Sequence, residues 1–397
     1  MLGLENHYMK TGIVGGGLAG LTAAYRLSQK GQEIILFEKQ AFTGGRVDHC
    51  VSVTTQAFQP KLYELLSELG LEEMKIPLLP TSMAMLMATN FVGYEDFPKM
   101  VASLPPADQA YFQKLVGEAM GNSFDVDNIS PRLLELRKIS FAEYLKDASP
   151  QFVGMMIDPM MDFLFMKDLD LSKISADYGL FQIRFGMEIG SGQAHTFEEN
   201  VKIVTNVLEK KIMDAGSQVC LSSPVHRIKP SKNGFEITYD RDGKLQTEQV
   251  GKVILSTPLS VTSQIFPELA LGEGVFYEKT KCIFVDGKLK SDRGIIMGIP
   301  ANNIANLRFL FVAFPHEHQL YPMDIDKPIN YDVLYDEYRV TGEREVEAAY
   351  ALLKPGGFPP EPATNIEGAF VCGDFYHYPL LDTSVRTGEK AARLILT

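Results

Sequence analysis

The feature that most constrains this chain is a glycine-rich turn, Gly15-x-Gly17-x-x-Gly20, set between a strand pattern and a helical pattern. The strand pattern covers Thr11–Val14, and apolar residues recur at helical spacing from Leu18 onward. In such a turn the first glycine permits the tight bend, the second lets a pyrophosphate approach the backbone, and the third lets helix and strand pack closely. Free N–H groups at the start of the helix favour phosphate. The pattern predicts the opening βαβ unit of a dinucleotide-binding fold.

A second strand and a carboxylate complete this unit. Residues 33–37 form a short apolar strand pattern that ends at Glu38, 21 residues after Gly17. A carboxylate at this place accepts hydrogen bonds from ribose hydroxyls. The residues predicted to contact the dinucleotide are Gly15, Gly17, Leu18, Ala19, Gly20, Glu38 and Lys39.

The next glycine doublet narrows the choice of dinucleotide. Gly44-Gly45-Arg46 follows closely, and the whole run 13–46 resembles the N-terminus of the flavin-containing amine oxidoreductases. That superfamily includes monoamine and polyamine oxidases, protoporphyrinogen oxidase and the phytoene desaturases. The resemblance implies that Gly44, Gly45 and Arg46 lie along the pyrophosphate of FAD, where a guanidinium can bridge phosphate oxygens. It also implies non-covalent FAD, because residues 350–368 lack the cysteine through which some relatives attach the flavin.

The C-terminal strand, Gly-Asp pair, loop and helix resemble the closing segment of the same family. The resemblance implies that Gly373 and Asp374 contact the ribityl chain or pyrophosphate. It implies that the helix start near Ser384 and Val385 faces the N1 and O2 edge of the flavin. Negative charge collects on that edge in reduced flavin, and a helix N-terminus stabilises it. Val225 matches the residue that gives backbone contacts to adenine.

Lys281 is the catalytic candidate. Lys281-Cys282-Ile283 resembles the strand that, in monoamine oxidases, holds a lysine whose ammonium binds a water next to flavin N5. Strand alternation places Lys281 on the face of Ile283 and Val285, with Cys282 on the other face. An exposed strand lysine is the alternative explanation.

Three further residues are substrate candidates. Tyr376 and Tyr378 follow Asp374 and would flank a substrate as a tyrosine pair does in amine oxidases; ordinary loop packing explains them equally well. Arg184 lies among aromatic residues and is a candidate for binding a substrate carboxylate, although a snorkelling arginine is the simpler explanation. Methionine-rich runs around Met85 and Met160 indicate either an adaptable apolar cavity or core filling.

A chain of 397 residues suits about two domains. The segment from residue 76 to 197 is rich in Met, Phe and Leu and is interpreted as mostly helical. A helical pattern covers residues 198–215. Strand patterns follow at 218–221, 225–230, 234–239 and 246–255, with Asp242-Gly243 as a hairpin turn, and they indicate a β-meander. The predicted fold class is α/β: a Rossmann-like FAD-binding domain of the glutathione-reductase type with a β-meander, plus an inserted α+β substrate-binding domain. The predicted bounds are 1–76, 197–260 and 356–397 for the first domain, and 77–196 and 261–355 for the second.

Charge and cysteine content exclude several classes of protein. The net charge of −12 disfavours nucleic acid as a partner. The four cysteines are scattered, which argues against a disulfide framework and a metal site. No apolar run reaches bilayer length and no charged-then-apolar leader is present, so we expect a cytoplasmic protein without a transmembrane anchor. The oligomeric state stays open.

Together these features predict an FAD-dependent oxidoreductase. It would transfer a hydride to flavin N5 from a small-to-medium, partly apolar substrate such as an amine, a porphyrinogen or a polyene. Two alternatives stay open: a non-catalytic binding protein that resembles the Rab GDP-dissociation inhibitors, and a flavin-dependent isomerase. The first is kept open because residues 47–58 are shorter than the family's hairpin, although Glu38, Arg46 and Asp374 argue for a bound cofactor.

Overall fold

The computed structural model describes residues 10–48, 52–161, 164, 166, 169–197, 201–300, 303–314 and 317–397. The strands are β1 (Thr11–Val14), β2 (Ile34–Phe37), β3 (Thr54–Thr55), β4 (Lys75–Leu78), β5 (Met83–Met87), β6 (Asn90–Gly93), β7 (Ala194–Phe197), β8 (Gln218–Cys220), β9 (Val225–Ser231), β10 (Gly234–Arg241), β11 (Lys244–Val250), β12 (Lys252–Leu255), β13 (Val275–Leu289), β14 (Ile295–Gly298), β15 (Leu307–Phe314), β16 (Glu317–Pro322), β17 (Tyr335–Leu353) and β18 (Ala369–Val371).

The α-helices are α1 (Leu18–Ser28), α2 (Pro60–Leu69), α3 (Phe97–Ser103), α4 (Pro106–Met120), α5 (Pro131–Leu136), α6 (Phe141–Tyr144), α7 (Pro150–Phe152), α8 (Asp158–Met161), α9 (Ala176–Gly190), α10 (Lys202–Asp214), α11 (Leu259–Ile265), α12 (Tyr331–Leu334) and α13 (Leu381–Leu396). Among the residues that the structure describes, no helix is both long enough and apolar enough to cross a bilayer.

A five-stranded parallel sheet, in the order β18-β12-β1-β2-β8, organises the glycine turn. Every residue of β1 and β2 is buried, as expected for strands covered on both faces. Helices α1, α10 and α13 pack on one face, and the antiparallel meander β9-β10-β11 packs on the other. The predicted Rossmann-like fold with a β-meander is therefore confirmed. Asp242 and Gly243, at φ values of 54° and 72°, form the predicted hairpin turn.

A second, seven-stranded sheet runs in the order β17-β13-β16-β15-β14-β5-β6. Helix α9 lies between this sheet and a helical cluster. Its Phe185 and Ile189 pack with Cys282 and Phe309 of the sheet, while Phe181 packs into the cluster formed by α4 to α8. This arrangement supplies the α+β part of the predicted fold.

The structure corrects the helical interpretation of residues 76–197 at its beginning. Residues 75–93 form strands β4, β5 and β6, and β5 joins the seven-stranded sheet between β14 and β6. Met83, Met85 and Met87 recur at every second position, which is the period of a strand rather than of a helix. Helices dominate only from Phe97 to Gly190.

Two other element boundaries differ from expectation. The strand pattern from residue 246 to 255 is divided at Gly251, because β11 belongs to the meander while β12 belongs to the parallel sheet. The predicted helix 198–215 is α10; residues 198–200 lie outside the described residues.

A buried ion pair ties the helical cluster to the C-terminal loop. Arg137 and Asp177 are both fully buried, and the guanidinium donates two hydrogen bonds, of 3.0 and 2.7 Å, to Asp177 Oδ2. The same carboxylate accepts from Tyr378 at 3.1 Å and from Ser175 at 2.6 Å. Arg137 also lies 2.7 Å from Nδ1 of His377. We call these five residues the Arg137 cluster.

Replacing Arg137 tests how much this pair stabilises the fold. Arg137→Met leaves the Asp177 carboxylate buried without its cation, so we expect the free energy of unfolding to fall by about 3–5 kcal/mol. Urea denaturation followed by circular dichroism measures the change. Lys138→Met is the control, because Lys138 is exposed and pairs with the exposed Glu135. This substitution should lower the free energy of unfolding by less than about 1 kcal/mol. Equal effects of the two substitutions would contradict this prediction.

Candidate functional site

A cavity of about 220 Å³ lies at the carboxyl edge of the parallel sheet, where open α/β sheets bind their ligands. We call it the main cavity. Its walls come from the β1–α1 turn, the segment after β2, the loop after β18 and the first turn of α13. Of the residues predicted to bind the cofactor, those lining the main cavity are Gly17, Leu18, Ala19, Gly44, Arg46, Gly373, Asp374 and Ser384.

The three glycines of the turn have different surroundings. A Cβ on Gly20 would lie 2.1 Å from the carbonyl oxygen of Gly15, so helix and turn approach too closely for any side chain. Gly15 has a φ of +104°, and a Cβ there would lie 2.9 Å from the carbonyl oxygen of Ser256. Among the described residues, and apart from its two chain neighbours, no atom lies within 4 Å of a Cβ placed on Gly17. Because Gly17 lines the main cavity, its open side leaves room for a group that contacts the backbone.

Glu38 is buried beside this turn, with 6% of its surface exposed. Its Oε2 accepts a hydrogen bond from the amide of Gly16 at 2.8 Å, and its Oε1 accepts one from the amide of Gln40 at 2.8 Å. These bonds fix the carboxylate next to the glycine turn. Each carboxylate oxygen has lone pairs for a further hydrogen bond, which suits the hydroxyls of a ribose.

Arg46 and Asp374 connect the two ends of the chain across the main cavity. The guanidinium donates to the carboxylate at 2.5 Å, and it contacts the carbonyl of Ala349 at 3.4 Å. Arg46 is 31% exposed and Asp374 is 14% exposed. A partly exposed arginine on the cavity wall places bidentate hydrogen-bond donors where an anionic group would enter.

Other predicted cofactor residues lie near the main cavity but do not line it. Lys39 is exposed, and Gly45 begins a short 3₁₀ turn with a φ of +58°. Val385, a residue of α13, is buried in the core between this helix and the parallel sheet. Val225 begins β9, two residues after Ser223, whose amide donates to the Glu38 carbonyl at 2.8 Å.

The structure does not bring Tyr376 and Tyr378 together at the cavity. The Tyr376 hydroxyl donates to Glu361 at 2.9 Å, and its ring lies beneath the ammonium of Lys390. Tyr378 belongs to the Arg137 cluster, and its ring stacks on Phe181 with the centroids 4.6 Å apart. Neither tyrosine is among the described residues that line the main cavity. The contacts of both rings fit loop packing.

Arg184 and Lys281 also lie away from the main cavity. Arg184 pairs with Glu188 at 2.8 Å and lies over the ring of Phe58, on the wall of a separate cavity of about 200 Å³. Lys281 pairs with Glu343 at 3.7 Å. Alternation along β13 proceeds as expected, but the face that approaches the cavity carries Cys282 rather than Lys281.

The far wall of the main cavity is aromatic, and sequence reasoning missed it. It comprises Phe185 of α9, Phe309 and Phe311 of β15, Tyr321 of β16 and Tyr350 of β17. The spacing of Phe309 and Phe311 is typical of one face of a strand, but it does not show what that face encloses. Burial raises the pKa of Tyr350 above its ordinary value of 10, at which the hydroxyl is already protonated at neutral pH.

A second cavity, of about 40 Å³, adjoins the main cavity through Val53 and Phe311, which line both. Among its described lining residues Tyr94 carries the one polar side-chain group, and burial raises the pKa of Tyr94 to about 12. We call it the methionine cavity, after its lining residues Met83, Met85, Met155, Met156, Met160 and Met297. No group of three potential metal ligands is found within the described parts of the chain.

His377 lies in the loop that follows Asp374 and has a φ of +64°. Burial, together with the neighbouring cations Arg137 and Lys390, lowers the pKa of His377 to about 3 from its ordinary value of 6.5. The folded protein therefore keeps this imidazole neutral, and Nδ1 can accept from Arg137.

The lowered pKa of His377 predicts that the folded protein loses stability in acid. Between about pH 6.5 and pH 3 the unfolded chain binds a proton at His377 that the folded chain does not, so stability falls as the pH is lowered. The contribution approaches at most about 1.4 kcal/mol per pH unit. Asparagine tolerates the positive φ of this position. His377→Asn should therefore flatten the dependence of the urea midpoint on pH in this range. The control His226→Asn, at an exposed position, should keep the native slope; a native slope in both variants would contradict the assignment.

Comparison with known proteins gives a consistent family and fold. The family model for flavin containing amine oxidoreductase matches residues 18–276. No curated protein sequence matches the chain. Among solved structures, an oxidoreductase from Methanosarcina mazei is 15% identical with a TM-score of 0.68, covering 97% of this chain and 100% of that one.

Two named oxidases are similar in fold. Cyclohexylamine oxidase from Brevibacterium oxydans is 15% identical with a TM-score of 0.68, and 98% of each chain is covered. Putrescine oxidase bound to putrescine is 17% identical with a TM-score of 0.72, with 98% of this chain and 99% of that chain covered.

Proposed function

Because this chain belongs to the flavin-containing amine oxidoreductases and is therefore a flavin-dependent oxidoreductase, we propose that it binds FAD non-covalently and oxidises a small-to-medium, partly apolar substrate. The observation that carries the proposal is the main cavity, whose one end is a glycine turn and whose other end is an aromatic wall. The proposal includes the division into a cofactor-binding domain and a substrate-binding domain at the bounds predicted from the sequence.

The residues at the first end suit a dinucleotide. The open side of Gly17 and the N-terminus of α1 offer backbone N–H groups to phosphates. Arg46 supplies further donors to the same anion, and Glu38 accepts from ribose hydroxyls. The first turn of α13 reaches the cavity through Leu381 and Ser384, so its positive dipole end stabilises negative charge inside.

Bound FAD supplies the acceptor for a hydride from a substrate C–H bond. The chain contributes position and environment. Phe309, Phe311 and Tyr321 give the cavity an apolar wall, which excludes water and limits where a substrate carbon can lie. Tyr350 adds a neutral polar side chain to the same wall.

The methionine cavity supports an apolar substrate group. It adjoins the aromatic wall at Phe311, and its described lining residues include no carboxylate. Methionine side chains adapt to irregular apolar shapes. A dication such as putrescine would place its second ammonium there without a counter-ion, which is unfavourable. We therefore propose a substrate with one polar end and an apolar body, of the kind represented by cyclohexylamine.

The cofactor part of the proposal is tested with Gly17. The native protein should show flavin absorption and release FAD on denaturation. Gly17→Ala adds a methyl group that contacts no protein atom but occupies the cavity, so the apoprotein should melt as the native one does while the Kd for FAD rises about tenfold or more. The control Gly117→Ala adds a methyl group at an exposed helical position, where it meets no described atom within 4 Å beyond its own helix backbone. A colourless native protein that takes up no FAD would overturn the proposal.

The substrate part is tested by anaerobic flavin reduction. Cyclohexylamine should bleach the flavin absorption faster than putrescine, because the methionine cavity accepts an apolar body. Met155→Phe fills part of that cavity and should raise the KM for cyclohexylamine while leaving the flavin spectrum unchanged; Met213→Phe, at an exposed position, serves as its control. If putrescine reduced the flavin and cyclohexylamine did not, the proposal of a substrate with an apolar body would be contradicted. A product lighter by two hydrogens separates oxidation from isomerisation.

A further inference from the structure

Gln59 is a fully buried residue that lines the main cavity. Its Nε2 donates to the carbonyl oxygen of Val53 at 3.3 Å. Because a backbone carbonyl can only accept, this bond fixes the orientation of the side-chain amide. The remaining atom, Oε1, is buried and has no hydrogen-bond partner within the described protein. A buried acceptor without a partner is unfavourable, so the site calls for a donor.

The position of Gln59 points to the cofactor rather than to the substrate. Gln59 precedes α2, and the amide of Leu62 in that helix donates to Asp382 Oδ1 of α13 at 2.8 Å. Helix α13 is the one whose first turn, with Leu381 and Ser384, also lines the main cavity. Gln59 does not line the methionine cavity. Its amide therefore belongs to the wall that is built from the dinucleotide-binding fold.

We propose that Oε1 of Gln59 accepts a hydrogen bond from the ring N–H of the bound flavin. The oxidised isoalloxazine system carries a single N–H, placed between two carbonyl groups, and a buried acceptor without a partner on the cavity wall is complementary to it. The proposal rests on FAD as the cofactor. The bond satisfies the amide only when the flavin ring is present, so Gln59 adds affinity for the ring and none for the nucleotide half.

A competing explanation lies in the same segment. The hydroxyl of Thr55 is also buried, with no partner among the described residues, and the backbone amide of Gln59 donates to the Thr55 carbonyl at 3.0 Å. If an enclosed water bridged the Thr55 hydroxyl and the Gln59 amide oxygen, Gln59 would make no hydrogen bond to the ligand. The two explanations differ in whether replacing Gln59 changes recognition of the ring N–H.

The test compares FAD with N3-methyl-FAD, in which a methyl group replaces the ring N–H. Dissociation constants are measured by titrating the apoprotein and following flavin fluorescence. The native chain should bind N3-methyl-FAD about tenfold more weakly than FAD. Gln59→Met, similar in length but without the acceptor, should bind both with equal affinity. Gln59→Asn, which retains the amide but withdraws it by one methylene, should lose the preference as well.

ADP and a second glutamine provide the controls. ADP carries the nucleotide half without the ring, so its binding should be the same in the native chain and in both Gln59 variants. Gln113→Met, at an exposed position of α4, should keep the native preference for FAD. The role of Gln59 is overturned if the native chain binds both flavins equally, or if a Gln59 variant that still binds ADP keeps the native preference. Failure of the native chain to bind FAD would overturn the proposed cofactor itself.

Discussion

The close approach of backbone to backbone at the end of β1 is the constraint on which the rest of the site depends. Helix α1 can start directly after the strand only because Gly20 lies against the carbonyl of Gly15 without a side chain between them. That contact aims the first turn of α1 at the carboxyl edge of the sheet. Glu38, fixed by the Gly16 amide, and Gly44, whose amide donates to the Gly16 carbonyl at 2.8 Å, then take their positions from the same turn.

The parts of the fold that could be predicted are those whose signal is local. The first βαβ unit, the meander with its Asp242-Gly243 turn and the closing strand and helix each combine a clear periodicity with a turn or glycine signal. The prediction of helix for residues 76–93 was wrong because it rested on their content of Met, Phe and Leu. The alternation of Met83, Met85 and Met87 is that of a strand. Gly251, which divides β11 from β12, separates two sheets that only tertiary packing distinguishes.

The glycine-turn end of the main cavity was more predictable than its aromatic wall, for a physical reason. Dinucleotide-binding turns carry glycines and a carboxylate at fixed offsets from a strand, so sequence spacing locates Gly17 and Glu38 beside one another. The aromatic wall depends on which face of a seven-stranded sheet turns toward the cavity. Alternation correctly placed Lys281 opposite Cys282, but it carries no information on which of the two faces α9. Gln59 gives no signal in the sequence, because what distinguishes it is a buried acceptor that no described protein group satisfies.

The ion pair between Arg46 and Asp374 joins residues 328 positions apart. The glycine turn, the guanidinium, the carboxylate and the start of α13 thus become one binding surface only when both ends of the described chain are present together. During synthesis on a ribosome, the N-terminal βαβ unit emerges long before Asp374 and Ser384. The binding surface around the main cavity therefore stays incomplete until Asp374 and Ser384 have been synthesised and have packed beside the glycine turn.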